Sequence, residues 1–194
     1  MSGKTVMRVG LCTLMLTGAL ASTATPAAAA STAPRLTSLV GLSAERILLA
    51  DKVAAAKFGT TSPIEDPVRE QVVLDQAAAL AAEAGLDTAE TVTFFRAQIE
   101  SSKLVQQGLF DLWTAHPELA PAERPDLATE VRPELDRITI AFIGELSATD
   151  ELRAPTTRCR VSLVVAEHKA DRQYHLDRLH ERALRDAITP VCAA

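Results

Sequence analysis

Two cations, Arg46 and Lys57, fall on one line of a strongly helical stretch running from Ala44 to Lys57. At about 100° per residue, Arg46, Ala50, Val53 and Lys57 share a stripe. Glu45, Asp51 and Lys52 occupy the other side of the cylinder, so the two cations point where a core belongs. A buried cation needs a partner. A carboxylate of the protein is one, and for Lys57 the helix C-terminus just before Gly59 is another. An anionic ligand is the third, and it is the one that would make this stripe a site.

Three further places supply groups of the same kind. Asp66 and Pro67 open a second helix whose first turn holds Arg69. A third helix carries Phe95, Ser102, Gln106, Leu109 and Trp113 along one face, which sets a hydroxyl and an amide one turn apart on an apolar stripe. Such groups are usually satisfied within the fold, by the helix itself or by a neighbour. Arg132 sits at the start of a fourth helix, where an exposed, solvated arginine is the plain alternative. His168, His175 and His180, with Asp171 or Asp177 nearby, match no standard ligand spacing, so no metal is expected. Gly-rich phosphate loops and nucleophile elbows are absent from the sequence.

The elements that position these groups are all helical. Ala, Leu, Glu and Arg dominate, and no alternating β-branched run with hairpin turn chemistry occurs, which predicts an all-α domain. The expected helices run from Leu36 to Phe58, from Pro67 behind the Asp66 cap to Ala84, from the Asp87 cap to His116, and from a Thr129 cap to Leu146 with Pro133 in its first turn. Residues 156–188 contain neither Gly nor Pro and could form one helix. That helix would hold Cys159 and Cys192 about 50 Å apart, whereas a disulfide needs Cα atoms within about 7 Å. A reversal between Lys169 and His175 is therefore expected, making six principal helices with a bridge worth roughly 3 to 4 kcal/mol in the chain-entropy model.

The bridge follows from the compartment. Lys4 and Arg8, an apolar run from Val9 to Ala21, and small residues through Ala30 form a secretory signal peptide, residues 1–30, cut after Ala30. The apolar run falls short of the roughly 20 residues that span a bilayer, so no membrane association is expected after cleavage. Removing Cys12 leaves Cys159 and Cys192, an even pair in an oxidising secreted or periplasmic setting. Loss of Lys4 and Arg8, the charges of the leader, takes the net charge from −5 to −7. So acidic a chain is not expected to bind nucleic acid. Residues 31–194 are expected to form one domain.

Taken in order, Ala44-Glu45-Arg46, Ala56-Lys57-Phe58, Pro63-Ile64-Glu65-Asp66 with Arg69, Gln98-Ile99 before Ser102 and Gln106, and Pro125-Asp126-Leu127 before Arg132 resemble the AroQ-type chorismate mutases. His175-Leu176-Asp177-Arg178-Leu179, Arg182-Ala183-Leu184 and the two late cysteines extend the resemblance over nearly the whole mature chain, toward the secreted gamma subclass. It implies a helical bundle that turns chorismate into prephenate by a [3,3] rearrangement, without cofactor, for phenylalanine and tyrosine synthesis. It also implies a homodimer. Arg46 and Arg132 would bind the two carboxylates and Arg69 would support them. Lys57 would bridge a carboxylate and the ether oxygen, to which Gln106 also donates. The backbone at Asp66 and the side chain of Glu70 would take the ring hydroxyl, and Ser102 a carboxylate. Val73 stands where a polar residue is known in the secreted subclass, and Gln106 where some secreted members carry Glu. An isochorismate-pyruvate lyase with a related pocket, and an exported helical protein that binds an anion without converting it, are the two alternatives.

Overall fold

A computed structural model describes residues 36–193, so the leader and its cleavage point lie outside the described residues. Six helices carry the fold: α1 (Leu36–Lys57), α2 (Pro67–Ala84), α3 (Thr88–Ala115), α4 (Arg132–Ala148), α5 (Thr157–Tyr174) and α6 (Arg178–Ile188). There is no strand among the described residues, and no helix there is long and apolar enough to cross a membrane.

Helix α1 is the axis of the bundle, with α3, α4, α5 and α6 packed around it and α2 lying on α3 and α4. Its inward face is built from Leu36, Leu39, Val40, Ala44, Ile47 and Ala50, all buried. They meet a triangle of rings: Phe94, Phe95 and Phe142 stand edge to face with centroids 5.0 to 5.7 Å apart, the arrangement that aromatic quadrupoles favour. Small residues let the partners come close. A Cβ at Gly108 would lie 2.7 Å from a methyl of Leu179, so α6 seats on α3 where no side chain intervenes.

The helix ends follow local chemistry. Asp66 accepts from the Arg69 amide at 3.0 Å and Pro67 fills the first helical position of α2. Gly85, at φ 71°, closes that helix, and the Leu86 amide bonds to the Ala81 carbonyl at 2.9 Å, a left-handed cap that glycine adopts without a Cβ penalty. Asp87 caps α3 through the Glu90 amide at 2.9 Å.

Two sequence expectations shift. The fourth helix is capped by Asp126 rather than Thr129: its carboxylate accepts from the amides of Ala128 and Thr129, both at 2.8 Å, and from the Thr129 hydroxyl. An ionised carboxylate reaching two amides outbids a hydroxyl at this task. A π-helical turn, Leu127–Val131, therefore precedes α4, and Arg132 lies one turn inside the helical run instead of at its free N-terminus. The reversal before α6 falls at residues 175–177, at the far edge of the expected interval. Helix α5 continues to Tyr174, whose hydroxyl donates to Glu45 Oε1 on α1 at 3.1 Å. His175 then takes the left-handed conformation at φ 53°, and Asp177 caps α6 through Leu179 and His180.

Cys159 and Cys192 are bridged, with Cα atoms 5.9 Å apart, tying the first turn of α5 to the last turn of the chain, Thr189–Cys192. His180 makes a second tie: its Nδ1 lies 2.6 Å from Asp177 Oδ1 and its Nε2 2.8 Å from Asp51 Oδ1 on α1.

Candidate active site

Four helices and one loop enclose a cavity of about 120 Å³. Helix α1 contributes Arg46, Val53 and Lys57 to it, and α2 with its cap contributes Asp66, Arg69, Glu70 and Val73. Ile99, Ser102, Lys103 and Gln106 come from α3, Leu135, Asp136 and Thr139 from α4, and Ile64 from the loop between α1 and α2.

The stripe on α1 reaches the cavity because α3 and α4 cover both of its flanks. Arg46 is only 6% exposed, and its Nε and Nη1 have no hydrogen-bond partner among the described residues. Burial, aided by repulsion from Arg69 and opposed by Asp136, brings its pKa down to about 10. Each buried donor left unmatched costs on the order of 1 to 3 kcal/mol, so the fold alone gives no reason to keep a guanidinium here. Lys57 at the other end donates to the Ile64 carbonyl at 3.1 Å. Burial lowers its pKa as well, against the pull of Asp66 and Glu70.

Facing these cations on α3, Gln106 is 3% exposed. Its Nε2 donates to Ser102 O and Oγ, both at 3.2 Å, while its Oε1 is buried without a partner. Glu70 and Asp66 form a reciprocal box at the start of α2, Glu70 Oε1 accepting from the Asp66 amide at 3.4 Å. Four cations, Arg46, Lys57, Arg69 and Lys103, line the cavity against three carboxylates, Asp66, Glu70 and Asp136. The excess is positive in a chain that is acidic overall. In a partly dry space such an excess favours an anion far more than the same charges would in water.

Of the residues that sequence singled out, Arg46, Lys57, Asp66, Arg69, Glu70, Val73, Ser102 and Gln106 all line this one cavity. Arg132 does not: it is exposed. It nevertheless stands three, four and seven residues before Leu135, Asp136 and Thr139, and so begins the stripe of α4 that faces the cavity. That spacing was a usable signal for Asp136 and Thr139, which sequence reasoning missed. Lys103, also missed, carried a weaker one, lying four residues after Ile99 and three before Gln106. His180 belongs to the tie between α1 and α6 and does not line the cavity.

With this geometry in place, the likeness to known proteins falls on the same elements. A family model described as "Chorismate mutase type II" matches residues 37–107, which span α1, α2 and most of α3. A protein of Mycolicibacterium smegmatis named "Secreted chorismate mutase" is 33% identical over 175 residues, covering 90% of this chain and 95% of that protein. Its namesake from Mycobacterium tuberculosis is 32% identical over 170 residues, covering 87% and 84%. The crystal structure of a chorismate mutase from Burkholderia thailandensis superposes with a TM-score of 0.77 at 37% identity, over 81% of this chain and 98% of that one.

Proposed function

The chain belongs to the type II chorismate mutase family, and we propose that the cavity among α1, α2, α3 and α4 is where it converts chorismate to prephenate. The observation that carries this reading is Arg46: a buried guanidinium with two unmatched nitrogens, in a cavity that also holds Lys57 and Gln106. A substrate carboxylate supplies those missing acceptors.

The reaction is unimolecular. The ether C–O bond breaks as a C–C bond forms between the side chain and the ring, and no proton, nucleophile or redox partner takes part. The protein's task is to hold the two ends of the substrate in the reactive geometry and to stabilise negative charge that grows on the ether oxygen. A million-fold acceleration asks about 8 kcal/mol of those two effects together.

Arg46 and Arg69 hold carboxylate charge from within the cavity. Arg132, exposed at the start of the α4 stripe, takes the second carboxylate from outside the cavity lining. Lys57 meets a carboxylate and the ether oxygen, exchanging its contact with the Ile64 carbonyl for the ligand. Gln106 spends one amide hydrogen on Ser102 and offers the other to the ether oxygen, and the Ser102 hydroxyl meets a carboxylate. The Asp66 backbone and the Glu70 carboxylate receive the ring hydroxyl. Val73 adds an apolar wall. The leader in residues 1–30, and the description of two relatives as secreted, support export of the mature enzyme. A homodimer is the family expectation for it.

The test is to mix purified mature protein with chorismate, follow the loss of its absorbance and identify the product. Prephenate is expected. Unconsumed chorismate at micromolar enzyme, or release of pyruvate from isochorismate as the sole activity, overturns the reading.

A further inference from the structure

We propose that Lys103 is a positioning residue for the reaction, holding the Glu70 carboxylate at the ring-hydroxyl end of the cavity so that the site selects its substrate through that hydroxyl. This deepens the chorismate reading above and rests on it.

Lys103 follows Ser102 on α3 but serves a different end of the cavity from Arg46. The charges that act on Arg46 are those of Arg69 and Asp136; those that act on Lys103 are Glu100 and Glu70. Its Nζ lies 2.8 Å from Glu100 Oε1 and 3.4 Å from both oxygens of Glu70. The Lys103 and Glu70 side chains are 17% and 20% exposed, against 58% for Glu100, so Glu100 holds the ammonium from the more exposed side. Burial works against its charge, yet the two glutamates outweigh it and hold its pKa above the ordinary lysine value.

The distances divide the work. At 2.8 Å the Glu100 contact is as short as a strong charge-assisted hydrogen bond, and at 3.4 Å the Glu70 contacts are well beyond one. Glu70 is therefore oriented without being saturated. Its other contact, from the Asp66 amide, is also 3.4 Å. A carboxylate held loosely at two points keeps lone pairs free for a hydroxyl donor, and it can accept one without breaking a strong bond. With Lys103 removed, only the Asp66 amide holds Glu70, and the nearby charge of Lys57 draws it instead. Lys103 also lines the open groove between α3 and α6, as does Ile64, so the two residues form the partition between that groove and the cavity. The partition places Lys103 beside the hydroxyl acceptor and leaves the carboxylate end to the arginines.

The experiment is a double-mutant cycle read in kcat/KM for chorismate. Lys103→Met in the parent is expected to lower kcat/KM about 10- to 30-fold, and Lys103→Arg, which keeps the charge, about 3-fold or less. In a Glu70→Ala background, Lys103→Met is expected to cost less than 2-fold, because the group it positions is gone. Melting temperatures of all variants, with Lys103→Gln as a second neutral replacement, separate these effects from loss of fold. An equal loss from Lys103→Met in both backgrounds would show that Lys103 acts on the substrate directly and would overturn the assignment while leaving the mutase reading intact. A parent protein that forms no prephenate would bring down the mutase reading and this inference with it.

Discussion

Gln106 is pinned to Ser102 on its own helix, its Nε2 standing 3.2 Å from both the Ser102 carbonyl oxygen and the Ser102 hydroxyl. One of the two amide hydrogens is thereby spent and the other is free to donate. A residue facing an ether oxygen that gains negative charge must donate, and an amide does so at any pH. Gln106→Glu replaces it with a group that donates only when protonated, near or below about pH 4.3 unless the site raises its pKa. Turnover of Gln106→Glu should fall steadily from pH 5 to pH 8 when expressed relative to the parent at each pH. A flat ratio would show that Gln106 does not face the ether oxygen.

Arg46 should trade stability for activity. Its guanidinium is buried with two nitrogens unmatched, and replacing a poorly satisfied buried charge by an apolar side chain of similar length is often neutral or stabilising by about 1 to 4 kcal/mol. Arg46→Met is therefore expected to melt at the parent's temperature or above it, while kcat/KM for chorismate falls at least about 1000-fold. Thermal unfolding and initial rates check the two halves. A melting temperature several degrees lower would mean that Arg46 serves the fold.

His180 ties α6 to α1 through two carboxylates, and its pKa is raised to about 9 by the hydrogen bond to Asp51, with burial opposing and Asp177 adding to the rise. A histidine whose pKa is raised on folding stabilises fully below its unfolded value of about 6.5, and that contribution is lost as pH climbs through about 9. Asp51 and Asp177 are 44% and 68% exposed, so solvent reduces the effect to about 1 kcal/mol. The melting temperature should drop by a few degrees between pH 6.5 and pH 9.5. His180→Asn should lower it at pH 6 and flatten the decline.

Reducing the Cys159–Cys192 bridge should cost roughly 3 to 4 kcal/mol, or roughly 6 to 16 °C in melting temperature for a domain of this size. The bridge joins α5 to the final turn, and neither element lines the cavity. Turnover at 25 °C should survive reduction. A loss of activity without unfolding would reveal coupling between that end of the bundle and the site.

The all-helical fold was legible because hydrophobic period, caps and breakers agree along the chain. Asp66-Pro67, Gly85 and Asp87 each do in three dimensions what their types prescribe. The fourth helix was read less well, because Asp126 and Thr129 both qualify as caps and only the geometry shows that Asp126 reaches two amides at once. The reversal before α6 was required by the two cysteines, but its exact place was not marked, because a histidine takes the conformation usually given to glycine. In the cavity, the α1 stripe declared itself by placing cations among small apolar residues. Asp136 was legible only through its place four residues after Arg132, since its own exposed carboxylate looks like any solvated charge on a helix, and Lys103 was missed because its partners lie on both its own helix and α2.

Lys57→Ala offers the most direct test that the chemistry occurs in this cavity. Its charge is needed most as the ether bond breaks, so truncation should lower kcat for chorismate by about two to three orders of magnitude, with a smaller change in KM and circular dichroism like that of the parent. Prephenate formation by Lys57→Ala within a few-fold of the parent rate would contradict the placement of the reaction at Arg46, Lys57 and Gln106.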